Sequence, residues 1–463
     1  MRYLSRRIDK ALLEWAESSS RKPLLLRGAR QVGKSWAARH LGERFKYFIE
    51  INFEKNPEYK AVFLQNLDVN RIIGQLSILT GKPIVDSETL LFLDEIQDCE
   101  EAIMSLRFFK EDRPGLHVVA AGSLLEFSLA EIPTFGVGRI HSMFMYPMTF
   151  DEFLVANGKT RLMEFRNEAT VQTPLPSVFH DKLVELFRMY IIIGGMPEVV
   201  GKWVDTSEYL QCAEIQDDIL LGYEADFAKY RKKIDPELLR QVFRSAAVQL
   251  NKKFIYADVP GGYKTYEIKK AISLLEMAGL LTPVYRSDAN GLPLGSEADK
   301  SYFKILTLDP GLTLRLLGLS LGDDRGIKRQ ILTADSAELV NKGSMAELIA
   351  GLELIRYKTP NMKHELYYWT RQEKNSTAEV DYVVGESENV LPVEIKAGTK
   401  GGMKSLWMFM RAKKLHLAVR GSLENFGCFD YIDKEAEDAK RKVIICPLYA
   451  LSLMAEIVDS EKI

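Results

Sequence analysis

The sequence predicts an α/β protein whose N-terminal part is a parallel β-sheet with helices on both faces. Short apolar runs, such as residues 23–26 and 90–93, alternate with segments of helical periodicity. Each run is apolar at every position, which is typical of strands that are buried on both faces. A glycine-bearing loop joins the first run to the helix after it. Strands that alternate with helices in this way form parallel sheets.

The elements of this part follow one another in that alternation. Residues 3–18 have the periodicity of an amphipathic helix with its apolar side chains on one face. Strands are predicted at residues 23–26, 48–53, 90–93 and 116–121, and helices are predicted from residue 34, over residues 58–80 and over residues 101–110.

From about residue 150 the pattern changes. Helical periodicity dominates up to residue 230, and the helices and hairpin that follow have the order of a winged helix-turn-helix. Near the C-terminus, a helix at residues 342–357 precedes three strand-like runs. The predicted domains are residues 1–155 as the first α/β core, 156–230 as a helical lid-like segment, 235–290 as a winged-helix-like unit and 335–463 as a second α/β domain.

The composition is that of a folded chain with no dominant charge. Its 463 residues include 62 Lys and Arg and 64 Asp and Glu, a formal net charge of −2, so no overall field attracts nucleic acid. The four cysteines form no CxxC pair, so we expect neither a zinc site nor a disulfide framework, and a reducing cytoplasm fits best. We expect no signal peptide and no membrane partner, because no apolar stretch approaches the ~20 residues of a membrane span.

The strongest motif lies between the first predicted strand of the core and the helix after it. Residues 28–35 match GxxxxGK[ST] at every fixed position, which is the pattern of a P-loop, or Walker A motif. The loop N–H groups would converge on phosphate, Lys34 would reach the β- and γ-phosphates of ATP, and Ser35 would be a ligand of Mg²⁺. The predicted nucleotide-binding residues are Gly28, Ala29, Arg30, Gln31, Val32, Gly33, Lys34, Ser35 and Trp36.

A second motif supports the first. The apolar strand 90–93 ends in Asp94 and Glu95, which is the Walker B pattern. The strand would hold Asp94 at the carboxyl edge of the sheet, where it can position Mg²⁺, and Glu95 would polarise the water that attacks ATP. The alternative for Glu95 is a cap of the next helix.

Two further residues are candidates for a catalytic role. Ser123 follows the strand 116–121, at a position that resembles the γ-phosphate sensor of additional-strand (AAA+-like) ATPases, and a helix cap is the alternative. Arg139 lies on a predicted loop and would stabilise transition-state charge as an arginine finger or sensor. A surface salt bridge is the alternative for Arg139.

Together these motifs resemble a large bacterial and archaeal family of AAA+-superfamily ATPases whose C-terminal domain of unknown function is thought similar to restriction endonucleases. The resemblance implies an AAA+-like P-loop core that binds ATP and Mg²⁺, and a restriction-endonuclease-like α/β domain at the C-terminus. Ser35 stands where many relatives have Thr, and either hydroxyl can serve the metal. The matching stretches are residues 27–35, 93–97, 146–153, 194–198, 304–309 and 392–396.

The C-terminal domain carries a second candidate site. Asp381 lies in one predicted strand, and Glu394 and Lys396 lie in the next, on one face because they are two residues apart. The arrangement resembles the D…ExK core of restriction-type nucleases, in which two carboxylates hold Mg²⁺ and a lysine assists the attack of water. Glu347 matches the acidic residue on the first helix of such folds. Hairpins with outward Asp, Glu and Lys also occur on ordinary sheets, so that alternative stays open.

Two functions are compatible with these motifs. In the first, the chain is an ATPase that binds ATP or ADP, and hydrolysis moves its C-terminal half on DNA or RNA, with nuclease activity left open. In the second, it is a slow nucleotide-dependent switch or scaffold whose C-terminal domain binds a protein partner without cleavage. The intact acids and lysine of the C-terminal site favour the first function, and the balanced net charge favours the second. Either function is compatible with oligomerisation.

Overall fold

A computed structural model gives the fold of the chain. It describes residues 3–122, 129, 138–231, 233–318, 343–373, 376–386, 388–396 and 402–461. The chain divides into two compact units. Unit 1 comprises Met1–Met148, Met277–Leu280 and Thr359–Lys363, and unit 2 comprises Thr149–Glu276, Leu281–Lys358 and His364–Ile463.

Unit 1 is built on a parallel sheet. Its described strands are β1 (Leu24–Arg27), β2 (Tyr47–Asn52), β3 (Thr89–Asp94), β4 (His117–Ala121) and β5 (His141–Phe144). Their order is β2-β3-β4-β1-β5, and every neighbouring pair is parallel. This sheet confirms the predicted fold class, and β1 to β4 match the four predicted strands. β5 was not predicted, because two of its four residues are polar and leave no apolar run.

Helices of unit 1 cover the sheet. They are α1 (Ile8–Glu17), α2 (Lys34–Gly42), α3 (Lys60–Leu64), α4 (Val69–Thr80) and α5 (Glu100–Asp112). Ile72 of α4 and Leu106 of α5 belong to one buried cluster with Leu93 of β3. The predicted helix 58–80 is interrupted, because the side chain of Asp68 accepts hydrogen bonds from the N–H groups of Asn70 and Arg71 and starts a new helix there.

Unit 2 contains a larger, mixed sheet. Its strands, over the described residues, are β6 (Leu281–Ser287), β7 (Ala298–Thr307), β8 (Leu366–Glu373), β9 (Ser376–Glu386), β10 (Asn389–Ile395), β11 (Leu417–Ser422), β12 (Gly427–Asp433) and β13 (Ala439–Pro447). The order is β12-β13-β11-β10-β9-β8-β6-β7. β6 and β7 pair antiparallel, and β6 also pairs parallel with β8. The strand at the end of the predicted winged-helix-like unit, β6, therefore belongs to the C-terminal sheet, while the winged-helix role and the domain boundaries stay predictions.

The helices after unit 1's sheet begin at residue 150. They are α6 (Phe150–Ala156), α7 (Thr160–Asn167), α8 (Ser177–Ile193), α9 (Pro197–Thr206), α10 (Tyr209–Phe227), α11 (Pro236–Val248), α12 (Thr265–Met277), α13 (Pro310–Leu316), α14 (Ser344–Arg356), α15 (Lys404–Ala412) and α16 (Met454–Ser460). No helix in the described ranges is long and apolar enough to cross a lipid bilayer.

Two of the sequence stretches that carry the family resemblance meet inside unit 2. Asp309, at the end of the stretch 304–309, is buried and accepts a hydrogen bond of 2.6 Å from the N–H of Gly195. It also accepts one from the N–H of Leu312 and caps α13. These two stretches therefore stabilise the fold of unit 2, because a buried carboxylate needs such donors.

Candidate functional site

The carboxyl ends of the unit 1 strands place several predicted site residues together. Parallel strands end at the same edge of their sheet, and α/β proteins bind ligands there. β1 leads into the loop before α2, β2 ends at Asn52 and β3 ends at Asp94. We call residues 28–35 with Asn52, Asp94 and Glu95 the phosphate edge.

The loop at residues 28–33 is held in one conformation from two sides. Gly28 has a φ of 142°, and a Cβ atom there would lie 2.1 Å from the carbonyl oxygen of Met145, so no other residue fits without moving the backbone. The buried guanidinium of Arg6 donates hydrogen bonds of 2.8 Å to the carbonyl of Val32 and 2.6 Å to that of Tyr146. These contacts hold the loop in the observed conformation.

Lys34 is buried against the loop itself. Only 7% of the residue is exposed, and its Nζ donates to the carbonyl oxygens of Gly28 at 2.8 Å and Ala29 at 2.7 Å. Burial lowers the pKa of Lys34 to about 8, although the charges of Glu95 and Asp94 act in the opposite direction. The carbonyl oxygens carry no charge, so Glu95 and Asp94 balance the ammonium only in part, and an anion in the loop would be attracted to it.

Asp94 and Ser35 face each other across the phosphate edge. The Ser35 hydroxyl lies 3.1 and 3.2 Å from the two carboxylate oxygens of Asp94, and Asn52 Nδ2 donates to Asp94 at 3.1 Å. Burial, followed by the charge of Glu95, raises the pKa of Asp94, while the hydrogen bonds from Ser35 and Asn52 lower it. Hydroxyl and carboxylate oxygens are the ligands that Mg²⁺ prefers, so this pair fits the predicted magnesium site.

Glu95 has an unusual backbone conformation. Its φ of 50° lies in the left-handed region, which non-glycine residues rarely adopt outside functional or strained positions. Its carboxylate accepts a 2.7 Å hydrogen bond from Gln97 Nε2. The side chain makes no capping hydrogen bond to the short 3₁₀ segment after it, and α5 begins only at Glu100. The helix-cap alternative for Glu95 is therefore wrong, and its catalytic role stays a prediction.

The remaining predicted residues of unit 1 have different outcomes. Ser123 lies outside the described residues. Trp36 follows the loop and is 44% exposed. Arg139 is half exposed and forms an ion pair with Glu111. It precedes β5, whose first residue pairs with the first residue of β1, so Arg139 lies at the edge opposite the phosphate loop. The ion pair with Glu111 agrees with the salt-bridge alternative, and a catalytic role for Arg139 stays a prediction.

Unit 2 brings together the residues of the second candidate site. We call them the carboxylate cluster, which consists of Lys304, Glu347, Glu379, Asp381, Glu394 and Lys396. Lys304 is 2% exposed, and its Nζ lies 2.9 Å from Glu347 Oε1 and 2.6 Å from Glu379 Oε1. Burial opposes the charge of Lys304, but Glu347, Glu379 and Asp381 more than offset burial and raise its pKa. Lys304 is therefore a resident cation of the cluster.

The other half of the cluster contains the predicted Asp–Glu–Lys set. Asp381 accepts a 2.7 Å hydrogen bond from the N–H of Ile395, and Lys396 Nζ lies 2.5 Å from Glu394 Oε1. Glu394 Oε2 is buried and has no hydrogen-bond partner among the described residues. Burial, followed by the charge of Asp381, raises the pKa of Glu394 to about 7. The negative charges of Asp381 and Glu394 are thus only partly balanced by the neighbouring donors.

Glu347 does not join Asp381 and Glu394 as a third oxygen ligand. Burial and then the charge of Asp381 raise the pKa of Glu347 well above its usual range, but its carboxylate binds Lys304. Over the ranges that the structure describes, no group of three or more His, Cys, Asp or Glu residues is placed to hold a metal ion. A metal there would depend on Asp381 and Glu394 alone.

Sequence reasoning missed several residues of these sites. Asn52 and Lys304 contact predicted site residues directly, and the turn at Gly279 lies against the phosphate loop. One feature of the sequence could have indicated Lys304, because it is the single charged residue in the apolar run 302–306. No feature of the sequence indicates Asn52 or Gly279, since a polar residue at the end of a strand and a glycine after a helix are common.

Known protein families match three parts of the chain. Residues 20–154 match the family described as AAA domain. Residues 184–323 match the Domain of unknown function (DUF8612), and residues 342–449 match the Domain of unknown function (DUF4143). No curated protein matches the chain.

Three solved structures are among those similar to the chain. A RuvB variant from Thermotoga maritima is 16% identical, with a TM-score of 0.29, 61% of this chain and 89% of that chain covered. Unliganded Pif1 from a Bacteroides species is 15% identical, with a TM-score of 0.21, and the match covers 40% of this chain and 49% of that chain. Protein VC1899 from Vibrio cholerae is 10% identical, with a TM-score of 0.17, and the match covers 95% of this chain and 97% of that chain. TM-scores this low carry no argument about this chain.

The parallel sheet and its phosphate edge define a P-loop ATPase. The match of residues 20–154 makes the class more specific: this part of the chain is an AAA-type ATPase domain, and a C-terminal domain of unknown function follows it. The matches confirm the ATPase domain and the C-terminal domain of unknown function that the resemblance implied, while the likeness of the latter to restriction endonucleases stays a prediction.

Proposed function

We propose that the chain hydrolyses Mg-ATP at the phosphate edge and uses the cycle to control its C-terminal module on nucleic acid. The observation that carries the ATPase part is the pairing of Ser35 with Asp94 beside the buried Lys34. Lys34 and Ser35 begin α2 and Asp94 ends β3, and together they supply the ammonium, the hydroxyl and the carboxylate that Mg-ATP requires.

Lys34 and Ser35 bind the substrate in this proposal. The Lys34 ammonium leaves the carbonyls of Gly28 and Ala29 and binds the β- and γ-phosphate oxygens, which balances its charge. Ser35 and Asp94 would hold Mg²⁺, which neutralises developing phosphate charge when it is bound. Asn52 keeps the Asp94 carboxylate oriented through its 3.1 Å hydrogen bond.

Glu95 is the proposed general base. Its carboxylate accepts a proton from the attacking water, whose oxygen forms a bond to the γ-phosphorus. The bond between the γ-phosphorus and the bridging oxygen breaks, and ADP leaves with the electron pair. Gln97 holds the carboxylate of Glu95 through the 2.7 Å hydrogen bond and so limits the directions in which it can point.

The test separates binding from hydrolysis. Glu95→Gln keeps the shape of the side chain and removes the base, so we expect ATP affinity to stay and phosphate release to fall by about 10²-fold or more. The matched control is Glu100→Gln, an exposed acid at the start of α5, which should hydrolyse at the wild-type rate. Wild-type hydrolysis by Glu95→Gln would mean that another residue orients the water.

The carboxylate cluster supports the proposed action on nucleic acid. Asp381 and Glu394 lie on neighbouring strands, and Glu394 has a buried oxygen without a partner among the described residues. Two such carboxylates with Lys396 beside them suit one Mg²⁺ or Mn²⁺ ion. Calorimetry of the full chain with Mn²⁺ should then show a second site that Asp381→Ala removes.

A second function is favoured by Lys304. Because its ammonium already binds Glu347 and Glu379, the cluster is also compatible with a metal-free domain that binds a protein partner without cleavage. The ATPase rate with and without DNA or RNA separates the two functions. Stimulation by nucleic acid supports the first, and a slow rate that nucleic acid does not change, with no Mn²⁺ site at Asp381, supports the switch or scaffold.

A further inference from the structure

The turn Met277–Leu280 connects α12 to β6, yet it belongs to unit 1. Gly279 in this turn has a φ of 73°. A Cβ atom on Gly279 would lie 3.1 Å from the N atom, 3.4 Å from the Cα atom and 3.3 Å from the Cβ atom of Ala29. These atoms belong to the phosphate loop and cannot rotate away like a long side chain, so the turn lies directly on the loop.

Ala29 is contacted on a second side by Lys34. Its carbonyl oxygen accepts the 2.7 Å hydrogen bond from Lys34 Nζ, while its N, Cα and Cβ atoms face Gly279. Ala29 itself is 2% exposed. One small buried residue thus lies between the lysine that would bind phosphate and a turn that is more than 200 residues distant in sequence.

We propose that the Met277–Leu280 turn senses whether the phosphate loop holds nucleotide. This inference rests on the proposed binding of ATP by Lys34. When Lys34 moves to phosphate, the carbonyl of Ala29 loses its buried donor, and the peptide must turn toward a new partner, since buried carbonyls are rarely left unpaired. The turn lies against this peptide and shifts with it.

The consequence follows from the continuity of the chain. The turn is joined to α12 on one side and to β6 on the other, and Thr265–Glu276 and β6 belong to unit 2. A shift of the turn is therefore passed directly into two elements of unit 2. Coupling of this kind is reciprocal, so a change in the turn must also change the affinity of the loop for nucleotide.

Gly279→Ala tests this reciprocity in the full chain. The added methyl group presses on Ala29, and we expect ADP and ATP to bind about tenfold more weakly, which corresponds to about 1.4 kcal/mol. The matched control is Gly81→Ala. Gly81 also follows a helix, with a φ of 66°, but no described heavy atom lies within 4 Å of the position that a Cβ atom on it would occupy. Both variants strain the backbone similarly, and only the first should lose affinity.

A second measurement uses the unmodified chain. Amide hydrogen exchange over residues 277–285 should change when Mg-ATP is added to wild type and should not change in Lys34→Ala. If wild type binds nucleotide while Gly279→Ala binds it with equal affinity, or while exchange in the turn is unaltered, the sensor is refuted and the ATPase function stands. If wild type binds no nucleotide, the proposed function itself fails.

Discussion

Lys34 in unit 1 and Lys304 in unit 2 are both buried lysines, but their partners differ in charge. Lys34 donates to two backbone carbonyl oxygens, and burial lowers its pKa to about 8. Lys304 lies between the carboxylates of Glu347 and Glu379, and although burial opposes its charge, those acids raise its pKa.

The difference shows that burial of a lysine does not by itself define an anion site. Carbonyl oxygens accept hydrogen bonds from Lys34 but carry no charge, so its charge is balanced only in part by Glu95 and Asp94. A phosphate that replaced the carbonyl oxygens would therefore gain electrostatic energy. The carboxylates around Lys304 already balance its charge, and separating them would leave buried acids unpaired. In the proposed function Lys34 therefore binds a ligand, whereas Lys304 stabilises the fold of unit 2.

The largest expected effect comes from removal of the Lys304 charge. Lys304→Met should lower the free energy of unfolding of unit 2 by about 3–5 kcal/mol, because it leaves Glu347 buried without its partner. Calorimetry of the full chain measures the loss. The control is Lys300→Met, on the same strand, where a largely exposed side chain pairs with exposed Glu365 and the expected change is below about 1 kcal/mol.

The same variant tests the proposed metal site. With its resident cation removed, the cluster should gain more stability from Mn²⁺ than the wild type does. Equal melting of Lys304→Met and Lys300→Met would contradict the comparison, since it would mean that Glu347 is solvated or protonated without cost.

The buried pair Glu353 and Arg356 of unit 2 extends the comparison of the two units, because its contribution to stability depends on pH. Glu353 is 2% exposed and lies 3.6 Å from Arg356. Burial raises the pKa of Glu353 from 4.5 to about 7, although Arg356 acts in the opposite direction. The folded state therefore keeps a proton that the unfolded chain releases near pH 4.5.

The contribution of Glu353 to stability is thus complete below pH 4.5 and is lost as the pH rises through 7. At about 1.4 kcal/mol per pKa unit, the loss is about 3 kcal/mol. Glu353→Gln should flatten this part of the stability curve of unit 2 between pH 4.5 and 7. Parallel curves for wild type and variant would show that Arg356 keeps the carboxylate ionised.

Removal of the Lys34 charge should have its effect on ligand binding. Nucleotide at 100 times its dissociation constant should stabilise the wild type by about 2.7 kcal/mol, and Lys34→Ala should abolish most of this gain in thermal unfolding with Mg-ATP. Lys46→Ala is the control, because Lys46 is an exposed lysine of unit 1 paired with Glu88. If Mg-ATP stabilised Lys34→Ala as much as it stabilises the wild type, the distinction between the two buried lysines would be contradicted.

The smallest effect is expected at Arg139. Its ion pair with Glu111 is half exposed, so Arg139→Gln should change the free energy of unfolding by no more than about 0.5 kcal/mol. The kcat of ATP hydrolysis by the isolated subunit should also stay unchanged. A decrease in kcat that appears only at protein concentrations where subunits associate would mean that Arg139 reaches the nucleotide of a neighbouring copy.

The main residues of the phosphate edge could be named from the sequence because they follow local patterns, while their roles stay predictions. The loop 28–35 and the pair Asp94 and Glu95 each follow a short apolar strand, and strand burial on both faces leaves a continuous apolar run. β5 was not predicted, because two of its four residues are polar and the strand therefore lacks a continuous apolar run. Arg139 was proposed from its residue type on a predicted loop, whereas its ion pair with Glu111 and its place before β5 depend on the tertiary structure.

Local spacing thus sufficed for the parallel fold, the phosphate loop and the acids at the end of β3, since the relevant residues are neighbours in the chain. Packing alone revealed that Lys304 occupies the carboxylate cluster, that Asn52 orients Asp94 and that Gly279 lies on Ala29. These contacts join residues far apart in sequence. No periodicity encodes them, because their partners are selected by which strands and turns become adjacent when the apolar faces are buried.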